Sequence, residues 1–313
     1  MKAVSLLPSA TEIVFALGAQ DLLCGVSCDC DYPEEAMQKP VVSSTALPID
    51  HTSTPRGIDQ LVREQLEESA SIYSLNTSLI RELRPDLILA QDLCRVCAVP
   101  SGDLEEALDV IGCRADVISL DPHTIGEVID GIQRVGDALG KSGQARMLVN
   151  NLRNRVEAVR RATKGLRPRR VFALEWLDPP FNGGHWVPEM VEVAGGRDVL
   201  GVVGAPSREV SWEEIVTAAP EVVVYMPCGF GLTDAVAQAR ELYANDAFLK
   251  TPAAMYGEVF AVDASSYFSR PGPRLIDGVE ILSGLLHPRS FSAPPASTSL
   301  RVRGPQAVQH RDG

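Results

Sequence analysis

The chain has few positive charges for its length of 313 residues. Its 29 lysines and arginines are outnumbered by 41 aspartates and glutamates, which gives a formal net charge of −12. Binding to a nucleic-acid backbone depends on a basic surface that displaces counterions from the phosphates. The acidic balance therefore argues against a DNA- or RNA-binding protein.

Long apolar runs are also missing. No stretch approaches the ~18 consecutive apolar residues that a membrane-spanning helix needs. At the start, "MKAVSLLPSATEIVFALG" is interrupted by Pro8, Ser9, Thr11 and Glu12 before the apolar core of a signal peptide can form. The chain as written therefore predicts a cytoplasmic protein without a membrane span, and a periplasmic or extracellular one only if a signal lies upstream.

Recognisable catalytic motifs are the third absence. The sequence has no P-loop, no G-x-S-x-G, no H-E-x-x-H and no G-x-G-x-x-G in a strand–helix context. Glu175 and Asp178 are not accompanied by a nucleophile and base at a recognisable spacing. We therefore expect a binding protein rather than an enzyme.

What the sequence does contain is an alternation of short apolar runs and amphipathic helical patterns. Segments typical of strands are "KAVSLL", "LLCGVSC", "DLILAQ" and "ADVISLD", and segments typical of helices are "SATEIVFALGA", "TSLIRELR" and "SGDLEEALDVIG". In the first of these helices we predict Ser9 as the N-cap, with Glu12 completing a capping box. Such alternation favours a mostly parallel sheet with helices on both faces. We predict an α/β protein of two doubly wound lobes, joined by one long backbone helix, with a ligand cleft between the lobes.

The predicted boundaries follow the same patterns. Residues 1–123 form the N-terminal lobe, residues 124–165 a helical segment that includes the backbone helix, and residues 166–288 the C-terminal lobe. After the break at "GKSG", Leu148, Leu152, Val156 and Val159 form one apolar stripe on a helix of about 22 residues. Residues 289–313 are rich in Ser, Pro and Arg and have few periodic apolar residues, so we expect this tail to be disordered.

Residues that directly follow the strands gather at one edge of such a sheet, where open α/β proteins bind ligands. In the first lobe this places Ser9, Tyr32, Gln91 and Asp92 in the predicted ligand-binding set.

In the second lobe, "FNGGHW" brings His185 behind two glycines, which allow close backbone approach to a ligand. An imidazole there can bind a transition-metal ion. Trp186, Tyr267 and Phe268 add aromatic surface on which a flat ligand can stack. An ordinary surface histidine and ordinary core packing are the alternatives.

The cysteines form another group at the strand ends. Cys28 and Cys30 lie in "SCDCDYP", and Cys94 and Cys97 lie in "QDLCRVC". Thiolates bind zinc, iron–sulfur clusters and copper(I), so these four cysteines are a predicted metal site for zinc or iron. Two alternatives stay open, namely direct contact with a bound cofactor and simple burial, because free cysteine is among the most often buried residue types. The odd total of seven cysteines argues against a disulfide framework.

The two lobes also share a weak internal repeat. "LIRELRPDLILAQDLC" and "EIVTAAPEVVVYMPC" have the same order of helix, proline, acidic residue, apolar strand and cysteine. Aligned on Pro85 and Pro220, Ser78 corresponds to Glu213. The match indicates either homologous lobes or a shared αβ pattern.

Five segments in order resemble the substrate-binding proteins of ABC importers for vitamin B12 and iron-siderophores. They are "SLLPSATEIVFALGA", "LRPDLILAQ", "PPFNGGHWVPEMVEVAGG", "VSWEEIVTAAPEVVV" and "SRPGPRLIDGVEIL", and the resemblance extends from about Lys2 to Pro288. The first and fourth are most similar to the cobalamin-binding branch. The resemblance implies a small-molecule metal chelate as ligand, here cobalamin or another corrinoid, and an ABC permease as partner.

In that branch a glutamate on each lobe docks on arginines of the permease. The second of these matches Glu213 in "VSWEE", which the resemblance therefore implies as a docking residue. The first falls on Ser78 in "LNTSLIREL", with Glu82 one helical turn further on. One half of the docking pair is thus missing.

Together these observations predict a binding protein for a corrinoid or a related metal chelate. Two other functions stay open. One is a cytoplasmic metal-handling or redox protein that uses the clustered cysteines, and the other is a corrinoid-modifying enzyme or chaperone on the same scaffold.

Overall fold

The computed structural model describes residues 1–45, 47, 54–68, 72–91, 104, 108 and 114–304. The protein is of the α/β class, as predicted, and divides into two compact units. The first unit consists of residues 1–122 and 126–152, and the second consists of residues 123–125 and 153 onward. In this division the helical segment predicted at residues 124–165 is shared between the two units.

The first unit is built on one sheet. Its strands are β1 (Ala3–Ser5), β2 (Leu23–Ser27), β3 (Val41–Thr45), β4 (Tyr73–Leu75), β5 (Leu87–Ala90) and β6 (Asp116–Ser119). Their order in the sheet is β4-β3-β2-β1-β5-β6, and all neighbours are parallel except β3 and β4. Its helices are α1 (Pro8–Ala16), α2 (Pro55–Glu68), α3 (Thr77–Leu83), α4 (Ile125–Ala138) and the first half of α5 (Ser142–Thr163).

The centre of this sheet is buried on both faces. Every residue of β1 and β5 is buried, which is why these strands are continuous apolar runs in the sequence. The helix that follows β1 begins at Pro8 and is preceded by Leu7 as N-cap, with no side chain capping it. The predicted capping box of Ser9 and Glu12 is therefore wrong, because proline suits the first helical position and starts the helix earlier.

The second unit has its own sheet. Its strands are β7 (Arg169–Leu177), β8 (Pro180–Asn182), β9 (Gly196–Asp198), β10 (Val222–Tyr225), β11 (Val259–Val262) and β12 (Ser299–Arg301). Their order is β12-β11-β10-β7-β8, with β9 also paired to β7, and β8 and β12 are antiparallel to their neighbours. Its helices are α6 (Val187–Val193), α7 (Trp212–Ala218), α8 (Leu232–Ala239), α9 (Pro252–Met255), α10 (Ala264–Tyr267) and α11 (Leu275–Leu286).

Helix α5 has the 22 residues that the sequence predicts. Leu152, Val156 and Val159 are buried along it, and Val149 rather than Leu148 completes the buried stripe. The division between the two units falls inside this helix, after Leu152.

The internal repeat appears as matching local structure. Asn76 caps α3 and Ser211 caps α7, each with a side-chain oxygen that accepts a backbone N–H three residues on. Both helices end on a non-glycine residue in the left-handed region, Arg84 with φ 49° and Ala219 with φ 47°. A proline and a buried strand follow in both cases, so Ser78 and Glu213 occupy the same position, the second residue of equivalent helices.

The acidic residues after these prolines also act alike. A carboxylate oxygen of Asp86 accepts the backbone N–H of Lys2 at 2.7 Å, and one of Glu221 accepts the backbone N–H of Arg170 at 3.0 Å. In each unit this bond joins the start of the repeated strand to the neighbouring strand, β1 or β7. The shared contact supports homologous lobes over a coincidence of pattern.

The C-terminal segment differs from the expectation. Residues 289–304 are described, and Ser299–Arg301 forms β12 against β11. Val302 is 3% exposed, and the Tyr243 hydroxyl donates to its carbonyl at 3.0 Å. Arg301 pairs with Glu258 at 2.7 Å. The expected disorder is therefore wrong for this part of the tail, because one apolar anchor and a strand edge hold it.

Val302 should contribute measurably to the stability of the second unit. We expect Val302→Ala to lower the free energy of unfolding by about 1.5–3 kcal/mol, since it removes fully buried methyl groups and leaves a cavity. Leu300→Ala, on the same segment but 42% exposed, should change it by less than about 0.5 kcal/mol. Urea denaturation of both variants measures the difference, and equal losses would show that the segment is not anchored through Val302.

Candidate functional site

Predicted ligand-binding residues of the first unit lie at the carboxyl edge of its sheet. Ser9 is on α1, directly after β1, and is 2% exposed. Gln91 follows β5 and is 5% exposed, whereas Tyr32, after β2, is 47% exposed. Because β2, β1 and β5 are adjacent and parallel, these positions share one edge. Asp92 lies outside the described residues.

Cys30 is held in a buried polar contact. Its sulfur accepts a hydrogen bond from the Thr11 hydroxyl at 3.1 Å and lies 3.3 Å from the Ser27 hydroxyl. The side chain is 3% exposed. These contacts join α1 to the loop after β2, a structural role for a sulfur that was predicted as a metal ligand.

Cys28 differs from Cys30 in both exposure and protonation. Its side chain reaches the surface. The side chain is nevertheless partly buried by neighbouring protein atoms. This partial burial, reinforced by the negative charge of Asp29, raises the pKa of the Cys28 thiol to about 11. The group is therefore a thiol at neutral pH, and a metal or an oxidant has to displace a tightly held proton.

The four-cysteine metal site stays a prediction. Cys94 and Cys97 lie outside the described residues. Over the ranges that the structure does describe, no group of three or more His, Cys, Asp or Glu side chains is arranged to hold a metal ion.

In the second unit the candidate site centres on His185, between β8 and α6. Its backbone has φ 53°, in the left-handed region. The His185 N–H donates to the Ala205 carbonyl at 2.6 Å, and its own carbonyl accepts from the Gly204 N–H at 2.9 Å. A Cβ on Gly184 would lie 2.1 Å from the backbone nitrogen of Ser207. The sequence predicts close backbone approach to a ligand at these glycines, and in the structure the close neighbour of Gly184 is the backbone of Ser207.

The ring of His185 lies among other rings. The Trp186 ring is 5.7 Å away and the His123 ring 5.4 Å away, measured between centroids. His185 is partly exposed, yet its Nδ1 is buried and has no hydrogen-bond partner among the described residues. Burial, reinforced by the charge of His123, lowers the pKa of His185. The imidazole is therefore neutral at pH 7.

Trp186 and Phe268 support this loop from behind. The Trp186 indole N–H donates to the Phe268 carbonyl at 2.8 Å, and the side chains are 5% and 1% exposed. Tyr267 is partly exposed, and the Arg274 guanidinium lies 5.9 Å from the centre of its ring. The bond between Trp186 and Phe268 joins the loop that carries His185 to the segment that carries Tyr267.

His123 belongs to this site, although the sequence argument did not select it. Its Nδ1 lies 3.2 Å from the Gly204 carbonyl. The following residues are fixed by Ile125, whose backbone N–H donates to Glu189 on α6 at 2.7 Å. The only sequence signal was its place after the apolar run "ADVISLD".

Asp198 shapes the loop that carries Gly204. One of its carboxylate oxygens accepts the backbone N–H groups of Leu200 at 3.0 Å and Gly201 at 2.7 Å. The other is buried without a partner in the described part of the chain. Burial, the largest influence, raises the pKa of Asp198 to about 6 despite these hydrogen bonds.

Glu213 is exposed at the second position of α7. The helix is capped by its neighbours, because Ser211 and Glu214 form a reciprocal capping box. Glu213 is therefore not the residue that caps this helix.

Comparison with known proteins gives the family. Residues 4–265 match the family described as periplasmic binding protein. An ABC transporter substrate-binding lipoprotein of Bacillus subtilis strain 168, YvrC, named as uncharacterized, is 25% identical over 296 residues, which are 93% of this chain and 81% of that protein. A vitamin B12-binding protein of Yersinia pestis strain Pestoides F is 26% identical over 226 residues, which are 71% of this chain and 68% of that protein.

Solved structures show the same fold. A periplasmic heme-binding protein from Pseudomonas aeruginosa superposes with a TM-score of 0.69 and 22% identity, covering 97% of this chain and 99% of that one. At this identity the likeness concerns the fold alone.

These comparisons correct one prediction and confirm another. The family is periplasmic by description and one relative is a lipoprotein, so the prediction of a cytoplasmic protein is wrong. It depended on the first residues of the chain, whereas the family match covers residues 4–265. The relatives are binding proteins and not enzymes, as the sequence predicted.

No helix within the described ranges combines the length and the apolar character required to cross a membrane.

Asp198 makes stability depend on pH. Its pKa in the folded protein, about 6, exceeds the ordinary value of about 3.9, so its stabilising contribution is lost as pH rises through about 6. Asp198→Asn should therefore be more stable than the wild type near pH 8, by at most about 3 kcal/mol since one pKa unit is about 1.4 kcal/mol, and the gap should close near pH 4.

Urea denaturation at both pH values measures this. A variant less stable than the wild type near pH 8 would contradict the account, because it would show that the hydrogen bonds to the charged carboxylate outweigh its desolvation.

Proposed function

Because this chain belongs to the periplasmic binding protein family, we propose that it is the substrate-binding protein of an ABC importer whose ligand is a corrinoid or a related metal chelate. The likeness to a named vitamin B12-binding protein over 71% of the chain is the observation that carries the proposal. The cobalamin-like segments at the start of the chain and at "VSWEE" agree with it.

The second unit offers groups suited to such a ligand. His185 and Tyr267 are both partly exposed and stand on segments that the bond between Trp186 and Phe268 joins. An aromatic ring can stack on a flat macrocycle, and a neutral imidazole can reach its metal. We assign direct contact to His185 and Tyr267, while the buried Trp186 and Phe268 position them.

In the first unit we propose Ser9, Tyr32, Gln91 and Asp92 as further ligand contacts. Tyr32 is the most exposed of those described and offers a ring face, whereas Ser9 and Gln91 are nearly buried. Hydroxyl and amide groups at a sheet edge suit the polar amide side chains at the rim of a corrin.

The proposed place of action is outside the cytoplasmic membrane, with an ABC permease as the partner within it. The lipoprotein relative and the family description support this location.

Titration tests the ligand. Cobinamide and cyanocobalamin, followed by calorimetry and visible absorbance, should bind the wild type. Tyr267→Ala should weaken cobinamide binding by about fivefold, since an aromatic stack contributes about 1 kcal/mol. Tyr256→Ala is the matched control, because Tyr256 is in the same unit, is 77% exposed and lies apart from the His185 loop in sequence.

The corrinoid proposal is contradicted if no corrinoid binds at concentrations up to about 1 mM. A dissociation constant of that size corresponds to a binding free energy of only about 4 kcal/mol. If hemin binds instead, the ligand is a different metal chelate, and the proposal of a substrate-binding protein of an importer still stands.

We further propose that Glu213 docks on the permease. It is exposed and is not the residue that caps its helix, so its charge is available to a partner. Its equivalent Ser78 lacks a charge, and the exposed Glu82, one turn on along α3, is the acidic group nearest in sequence on that helix. Docking would then depend more on the second unit than on the first.

Binding of the protein to its permease in nanodiscs tests this role. Glu213→Gln should weaken binding by at least about fivefold, as the loss of a charge pair at an interface does. Glu192→Gln removes an exposed glutamate from the same unit and should have no effect. Cobinamide affinity should be unchanged in both, and equal permease binding by the two variants would refute the docking role.

A further inference from the structure

The last described residues of the chain, 298–304, run along the edge of the second sheet, and we call them the C-terminal strap. The strap contains β12, which pairs with β11. Its side chains Thr298, Ser299 and Val302 are only 7%, 7% and 3% exposed. The family match covers residues 4–265, so it assigns the strap no role.

One aromatic residue anchors the far end of the strap. The Tyr243 hydroxyl donates to the Val302 carbonyl at 3.0 Å, and the Tyr243 ring lies edge-on to Phe248 with 5.6 Å between the centroids. A Cβ on Gly304 would lie 2.4 Å from a ring carbon of Tyr243, so the backbone of this glycine packs directly on the ring. Val302 and Phe248 belong to one buried core cluster. The strap is therefore part of the packed structure of the second unit.

The near end of the strap contacts the segment that leads to Tyr267. The Thr298 carbonyl accepts the backbone N–H of Asp263 at 2.9 Å. Asp263 in turn caps α10, because its carboxylate accepts the Ser266 N–H at 3.0 Å. A helix of four residues, such as α10, has too few internal hydrogen bonds to be stable alone and depends on its cap and its neighbours. The strap thus holds the residue from which α10 starts.

Other parts of the second unit hold the end of α10. The Tyr267 carbonyl packs against Gly278 of α11, where a Cβ would lie 2.3 Å from that oxygen. The Trp186 indole N–H donates to the Phe268 carbonyl at 2.8 Å. These two contacts fix the backbone beside Tyr267, whereas the strap fixes the start of the same short helix. Release of the strap should therefore loosen this segment without unfolding the unit.

We propose that the C-terminal strap is a positioning element of the ligand site, acting on the ring of Tyr267 through Asp263 and the cap of α10. The inference rests on the proposed function, which assigns Tyr267 to ligand contact. A ring that is ordered in the free protein loses less conformational freedom when the ligand binds. The strap should therefore raise ligand affinity by ordering Tyr267.

Two variants release the strap at its far anchor. Val302→Asp places a charge at a position that is 3% exposed, and Tyr243→Phe removes only the hydroxyl that donates to Val302. Leu300→Ala is the matched control, because Leu300 is in the same strap but is 42% exposed. Thermal melts show which variants fold, and Tyr243→Phe carries the test if Val302→Asp does not fold.

Hydrogen–deuterium exchange of the ligand-free protein is the first measurement. The amides of residues 266–269 should exchange at least about fivefold faster in the released variants, because α10 opens locally. The amides of β10, and all of these amides in Leu300→Ala, should keep their wild-type rates. A strap that only covers the sheet edge would speed exchange in β11 and at Asp263 alone. Wild-type rates at residues 266–269 in every folded released variant would overturn the proposal.

Calorimetry with cobinamide is the second measurement. Release of the strap should weaken binding by about two- to fivefold, since the effect cannot exceed the loss of the Tyr267 ring itself. In the Tyr267→Ala background the same release should weaken binding by less than about 1.5-fold, because the ring on which the strap acts is then missing. Equal losses in the two backgrounds would refute an action through Tyr267.

The two measurements separate this inference from the proposed function. If cobinamide binds the wild type and the folded released variants equally well, the positioning role is refuted and the proposed function stands. If neither cobinamide nor hemin binds the wild type, the proposed function fails. The exchange rates at residues 266–269 then still decide whether the strap orders the Tyr267 segment.

Discussion

The close packing of Gly184 against the backbone of Ser207 is the constraint on which the candidate site of the second unit depends. A side chain at this glycine would meet backbone atoms at 2.1 Å, and such atoms cannot move aside as a flexible side chain can. The approach lets His185 exchange backbone hydrogen bonds with Ala205 and Gly204 and keeps its φ at 53°. The histidine ring is thus placed by the backbone before any ligand arrives.

Placement of this kind has a functional consequence. A group that is already ordered loses little entropy on binding, so more of its interaction energy appears as affinity. The hydrogen bond from Trp186 to the Phe268 carbonyl also holds the segment that carries Tyr267. The carboxylate of Asp198 holds the start of the loop that carries Gly204. Such order benefits a binding protein in general, because less conformational freedom is lost when the ligand binds. The proposed function depends on this order.

The sequence predicted what depends on local pattern and missed what depends on distant contact. The buried strands β1, β5 and β10, the 22-residue helix and the strand-end position of His185 follow from periodicity and glycine placement. His123 was missed because its significance comes from Gly204, 81 residues away. The tail was misjudged because the anchor Val302 leaves no periodic signal. The location was wrong because it was argued from the first residues of the chain and not from the family match over residues 4–265.

Hydrogen–deuterium exchange with and without cobinamide tests the central claim, that the loops around His185 form the ligand site. The account predicts slower exchange at residues 184–186, 204–207 and 267–268 when cobinamide is bound, with α11 unchanged. If saturating cobinamide leaves these amides at their free rates and protects other segments instead, the ligand binds elsewhere and the site described here is not the binding site.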